Sequence, residues 1–149
     1  MIKTEDGPGS PCLPEPGQKI PPRDYGPFDR EALVRYAAAS GDDNPIHLDV
    51  NAANSAGLSG TPVHGMLMLS CFEPFITEWR PDLFVAGLSC KFLSPVLADR
   101  SIRISGRAVG RRDFPHPEAV LRLMAHGPDN KLAILGEATV RSRTAGCPR

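Results

Sequence analysis

The sequence predicts an α+β domain in which one antiparallel sheet wraps around a long buried helix. Three observations carry that expectation. The segment Val63–Trp79 sets apolar residues on every side of a helix, which requires burial on several faces. From Val85 onward the apolar period changes from helical to alternating, as in strands with one buried face. The readable strands follow the helices in one block, which makes a layered α+β arrangement. A chain of 149 residues is one ordinary domain with a single core.

Taken in order, residues 1–17 are rich in Pro and Gly, which predicts a flexible N-terminal arm ahead of a single domain over 18–143. Lys19-Ile20 can start a short strand, which Pro21-Pro22 should break. Asp29 is placed to cap a helix, with Phe28 and Leu33 in the positions of a hydrophobic staple and Gly41 at its end. A second short helix fits Val50–Ala56, capped by Asp49 and stopped by Gly57. Pro74 falls inside the long apolar helix and predicts a kink there, and Pro81 ends the helix. Four strands follow over Ala86–Ser94, Ser101–Arg112, Glu118–His126 and Leu132–Arg143. The turn Gly127–Asn130 joins the last two into a hairpin. Residues 144–149 read as a frayed C-terminal tail.

Composition narrows the function. Seventeen basic and seventeen acidic side chains balance, which disfavours a nucleic-acid or anionic-membrane surface. Arg100, Arg103, Arg107, Arg111 and Arg112 make one segment basic, read either as a solvated strand face or as a contact for ligand phosphates. Cys12, Cys71, Cys90 and Cys147 are dispersed, as reduced thiols would be. The four histidines show no metal-ligand spacing, so no metal site is expected. No signal peptide or apolar run of membrane-spanning length is visible, and the expected compartment is the cytoplasm. Nucleotide-phosphate loops and a serine elbow are not readable in the chain.

One stretch stands apart. In Ser40-Gly-Asp-Asp-Asn-Pro-Ile-His47, Gly41 can take positive φ, and Pro45 pushes Asn44 out of helical geometry. Asp42 and His47 are thereby presented from a sharp connection and can converge on one small volume. Asp, Asn and Pro are also ordinary turn residues, so local chemistry leaves a plain turn open beside an acid/base site.

The run Tyr36-Ala-Ala-Ala-Ser-Gly-Asp-Asp-Asn-Pro-Ile-His47-Leu-Asp49, then Ala53 and Pro62-Val-His-Gly-Met-Leu67, resembles the (R)-specific enoyl-CoA hydratases of the MaoC-like dehydratase group. The resemblance extends from about Gly17 to Arg143. It implies a hotdog fold, an antiparallel sheet around a central helix, that pairs edge to edge as a homodimer or a dimer of dimers. It implies hydration of trans-2-enoyl thioesters of coenzyme A, or of acyl carrier protein, to (R)-3-hydroxyacyl products. Asp42 and His47 would be the acid/base pair, with the base and the acid unassigned between them. The Gly65 N–H would stabilise charge on the thioester oxygen, and Asn44 would position the pair while also counting among the substrate-binding residues. His64, Met66 and Phe92 would lie on the substrate side, with packing at a helix start as the other reading of His64. No cofactor is expected beyond the coenzyme A of the substrate. Pro74 and the short segment after the central helix point to short or medium acyl chains. Two other readings stay open: a hotdog thioesterase using Glu73 or Glu78, and a non-catalytic acyl-CoA-binding subunit.

Overall fold

The computed structural model describes residues 13–143. The chain runs β1 (Lys19–Tyr25), α1 (Arg30–Ser40), a 3-10 turn (Pro45–His47), α2 (Val50–Ser55), α3 (Gly65–Ser70), α4 (Phe72–Trp79), β2 (Leu83–Phe92), β3 (Ile102–Arg112), β4 (Glu118–His126) and β5 (Leu132–Ser142). All strand pairs are antiparallel, in the order β1-β3-β4-β5-β2. The two helices of the central segment supply Met68, Leu69, Phe72, Phe75 and Ile76 to a core that also takes Ile104, Leu121, Leu123, Ile134 and Val140 from the sheet. The result is the hotdog arrangement, a sheet curled over a buried helical segment. Among the described residues, no helix is long and apolar enough to cross a membrane.

Local chemistry explains most boundaries. The Asp29 carboxylate accepts from the Ala32 N–H at 2.8 Å, and α1 ends where Gly41 adopts φ 78° and donates its N–H to Ala37. Asp49 accepts from the Asn51 N–H and caps α2 in the same way. Strand alternation on β3–β5 buries Ile102, Ile104 and Ala108 against Leu121, Leu123, Ala138 and Val140. The Asn130 N–H donates to the Gly127 carbonyl, with Asn130 at φ 60°, and closes the β4–β5 hairpin as expected.

Three expectations change. β1 does not stop at Pro21-Pro22 but continues to Tyr25. It is an edge strand, and its register against β3 shifts between Ile20 and Arg23, so neither proline has to donate a ladder hydrogen bond. The long helix is interrupted at Cys71, three residues ahead of Pro74, and not at the proline. Pro74 lacks the N–H that would bond Ser70, so the chain tightens instead, with the Cys71 N–H on Met68, and restarts as α4. Pro74 then occupies the first turn of α4, where no N–H is required. The third change concerns the arm. Its first twelve residues, like the tail from 144, lie outside the described residues. From Leu13 on the chain is packed: Leu13 is buried in the core cluster, and the Gly17 N–H donates to Ala108.

The basic segment lies mostly on a paired surface. Arg103 meets Asp24, Arg111 meets Glu15 and Arg112 meets Glu118, at 3.1, 2.6 and 3.5 Å. That pattern fits the solvated-face reading. Cys71 and Cys90 are free thiols whose pKa values burial pushes up, which keeps them unreactive. Cys12 and Cys147 lie outside the described residues.

Candidate active site

The turn after α1 is built by short local bonds. The Asp42 N–H donates to Ser40 Oγ at 3.1 Å, and the Asn44 side chain accepts from the Ile46 N–H at 3.2 Å. Asn44 thereby caps the 3-10 turn whose last residue is His47. This turn escaped sequence reading because Pro45 at its first position looked only like a helix boundary; proline is equally at home in the first turn of a helix.

The residues before α3 supply the second half. Pro62 bridges to Leu97, while the Val63 N–H donates to Val96 and the Ala98 N–H to Thr61, both at 2.8 Å. The Pro62 carbonyl is thus held in place, and His47 Nδ1 lies 2.7 Å from it. A carbonyl only accepts, so Nδ1 carries the hydrogen and Nε2 presents its lone pair. His47 Nε2 is 3.9 Å from Asp42 Oδ2, with the carboxylate about half exposed. That gap is too wide for a direct hydrogen bond and narrow enough for both groups to touch one water.

A cavity of about 420 Å³ opens beside the pair. Of the residues singled out in the sequence, Asp42, Gly65, Met66 and Phe92 line it. Gly65 is the first residue of α3, where the backbone N–H has no partner within the helix. A Cβ on Gly65 would stand 2.8 Å from Phe92 Cε1, so only glycine lets that ring lie this close over the helix start. Sequence reading missed Val63, Met68, Leu93 and Pro95, which also line the cavity. Leu93 continues the β2–β5 register, its N–H donating to Ala133, and like Val63, Met68 and Pro95 it carries only an apolar side chain, which marks a core as readily as a cavity wall.

Two expected substrate contacts are placed differently. Asn44 is exposed and does not line the cavity; it acts on the turn backbone. His64 is 1% exposed, so it packs behind the pair and cannot meet a substrate. Its ring stacks on His47 with centroids 3.9 Å apart and planes at 22°, and Tyr36 meets it tilted at 4.8 Å. Burial holds the His64 pKa below the usual histidine value. The hydrogen bond to the Asp42 backbone opposes that shift, and the charge of His47 adds to it.

Asp42, His47 and His64 each offer a ligand-type atom within 4.8 Å of one another, a grouping invisible in the linear spacing. The stereochemistry fits a metal poorly. His64 Nε2 is engaged with the Asp42 carbonyl, and near-parallel rings direct their in-plane lone pairs side by side, whereas a metal needs them to converge.

Comparison with known proteins agrees with this architecture. The family model for the MaoC like domain matches residues 11–124. An (R)-specific enoyl-CoA hydratase of Aeromonas caviae is 30% identical over 117 residues, covering 76% of this chain and 86% of that protein. Fatty acid synthase subunit beta of Saccharomyces cerevisiae is 31% identical over 108 residues; that match covers 70% of this chain but only 5% of the larger protein. Among solved structures, an (R)-hydratase from A. caviae involved in PHA biosynthesis superposes with a TM-score of 0.77 at 29% identity, covering 86% of this chain and 96% of that one.

Proposed function

The chain belongs to the MaoC-like domain family, a family of hydratases and dehydratases, and from that premise we propose that it adds water to trans-2-enoyl thioesters to give (R)-3-hydroxyacyl thioesters. The observation that carries the reading is the Asp42–His47 pair, 3.9 Å apart, with Asp42 lining a cavity that Gly65 also lines. A water held between Asp42 Oδ2 and His47 Nε2 loses a proton to the pair as its oxygen bonds to the β-carbon. The pair returns a proton to the α-carbon, and the reverse sequence expels water. Negative charge passes through the thioester oxygen, where the Gly65 N–H is the candidate donor; one such preorganised donor contributes about 3 kcal/mol. Coenzyme A is the favoured carrier, with acyl carrier protein as the alternative. The apolar walls from Val63, Met68 and Leu93 suit a short or medium acyl chain.

The thioesterase reading draws no support from the site. Glu73 and Glu78 are exposed and neither lines the cavity, and Glu78 is paired with Arg23. A homodimer is part of the same proposal. β2 is an edge strand, and Leu88 and Phe92 stand exposed on it, which favours pairing with a second copy.

The deciding experiment is hydration of crotonyl-CoA by the wild-type protein with chiral analysis of the product. Formation of the (R)-3-hydroxy thioester is expected; release of free coenzyme A without hydration would instead select the thioesterase. Gly65→Pro tests the oxyanion role. Proline is tolerated at the first position of a helix, and His64 before it already has the extended backbone that a following proline favours, so the protein stays folded while the half-exposed Phe92 ring swings aside. Proline carries no N–H, so loss of a well-placed donor lowers kcat by about 10²-fold, and an unchanged kcat removes Gly65 from the mechanism.

A further inference from the structure

We propose that His64 is the positioning residue of the acid/base pair: its Nε2–H on the Asp42 carbonyl and its ring against His47 hold the two groups apart at water-sharing distance. The inference rests on the hydratase reading above and adds a residue that never touches substrate.

His64 is the only fully buried polar or charged side chain among the described residues, at 1% exposure. Nε2 lies 3.1 Å from the Asp42 carbonyl and donates to it, which leaves Nδ1 as a bare lone pair. That Nδ1 is buried with no partner. Burying an unpaired nitrogen is unfavourable, and a leucine or methionine would fill the space without that cost. What an apolar side chain cannot supply is the N–H that ties the Asp42 backbone to the core.

Asp42 needs such a tie. It sits on an exposed turn, and its other bonds are the N–H to Ser40 Oγ at 3.1 Å and a long contact of 3.4 Å from the Asn44 N–H to its carboxylate. His47 needs a different constraint. Its bond to Pro62 fixes where Nδ1 lies but leaves the ring free to tilt about it. Stacking on His64 fixes the plane and therefore the direction of the Nε2 lone pair. One rigid ring thus sets both members of the pair. Without it, Asp42 Oδ2 and His47 Nε2 can close from 3.9 Å to a direct hydrogen bond and exclude the water.

The brace works only while His64 is neutral. Asp42, His47 and Tyr36 are the titratable groups that face it. A second proton would have to sit on the partnerless Nδ1, close to the His47 ring. Burial disfavours that proton and His47 adds to the effect, while the Asp42 carboxylate opposes it.

The test uses His64→Phe, which keeps the ring and loses the N–H, and His64→Gln, which keeps an N–H and loses the ring. Both are compared with wild type in crotonyl-CoA hydration, with activity expressed per folded molecule. A misplaced pair lowers kcat by about 10²-fold with little change in KM, and shifts the pH profile of kcat. Wild-type kcat and pH profile in either folded variant overturn the proposal. Imidazole ¹⁵N shifts give a readout independent of turnover. His64 should keep the neutral Nε2–H tautomer to a lower pH than an exposed histidine does, because burial disfavours its second proton. A His64 that takes up its second proton as readily as an exposed histidine overturns the brace. Failure of the hydratase reading looks different: wild type itself does not hydrate the thioester, while the ¹⁵N measurements still decide the role of His64.

Discussion

His47→Gln lowers hydration of a trans-2-enoyl thioester by about 10²–10⁴-fold, the range that one general acid/base contributes, and leaves the protein folded. The imidazole is the only group on its 3-10 turn that aims a lone pair at Asp42, and glutamine cannot exchange a proton near neutral pH. Asp42→Asn produces a loss of the same order. The carboxylate is half exposed, and the amide is its isostere, so the fold has little reason to respond. If both groups act on one water, as proposed, the losses are not additive: the double variant should be about as inactive as the worse single one. Steady-state kinetics with circular dichroism on the same samples checks each point. Activity within a few-fold of wild type in either folded variant would remove the pair from the reaction.

Phe72→Ala has the largest expected effect on stability, about 3–5 kcal/mol. The ring is fully buried at the start of α4, and it lies against Gly136 of β5 so closely that a Cβ there would stand 2.6 Å from Phe72 Cε2. The helix approaches the sheet at that spot because Gly136 has no side chain. Truncating the ring leaves a cavity that neither element can close without moving. Against a typical domain stability of about 5–15 kcal/mol, the loss is a large fraction and should lower Tm by on the order of 10 °C. Thermal and denaturant unfolding measure it. A shift of only a degree or two would mean that the helix settles into the space and that the Phe72–Gly136 contact is not what seats α4. The active-site turn lies on the far side of α3 in the chain and contributes no partner to this contact, so residual folded protein should keep its catalytic constant.

Much of the architecture was readable residue by residue because its causes are local. Asp29, Gly41 and Asp49 mark helix ends through backbone bonds within a few residues, and strand alternation from Val85 onward needs no knowledge of partners. The Asp42–His47 pair was readable for the same reason: both residues lie on one short connection whose geometry Gly41 and Pro45 restrict. The features that escaped depend on pieces distant in the chain. The path of β1 through its prolines depends on its being an edge strand with a register shift against β3. The break at Cys71 reflects where a helix sheds the strain of Pro74, which sequence marks only to within a turn. Packing at a helix start was one of two readings open for His64 in the sequence, and its burial against His47 and the Asp42 carbonyl became visible only when residues 42, 47, 62 and 64 came together. Local hydrogen bonding and periodicity are written into neighbouring residues, whereas a brace between distant segments exists only once the core has closed around it.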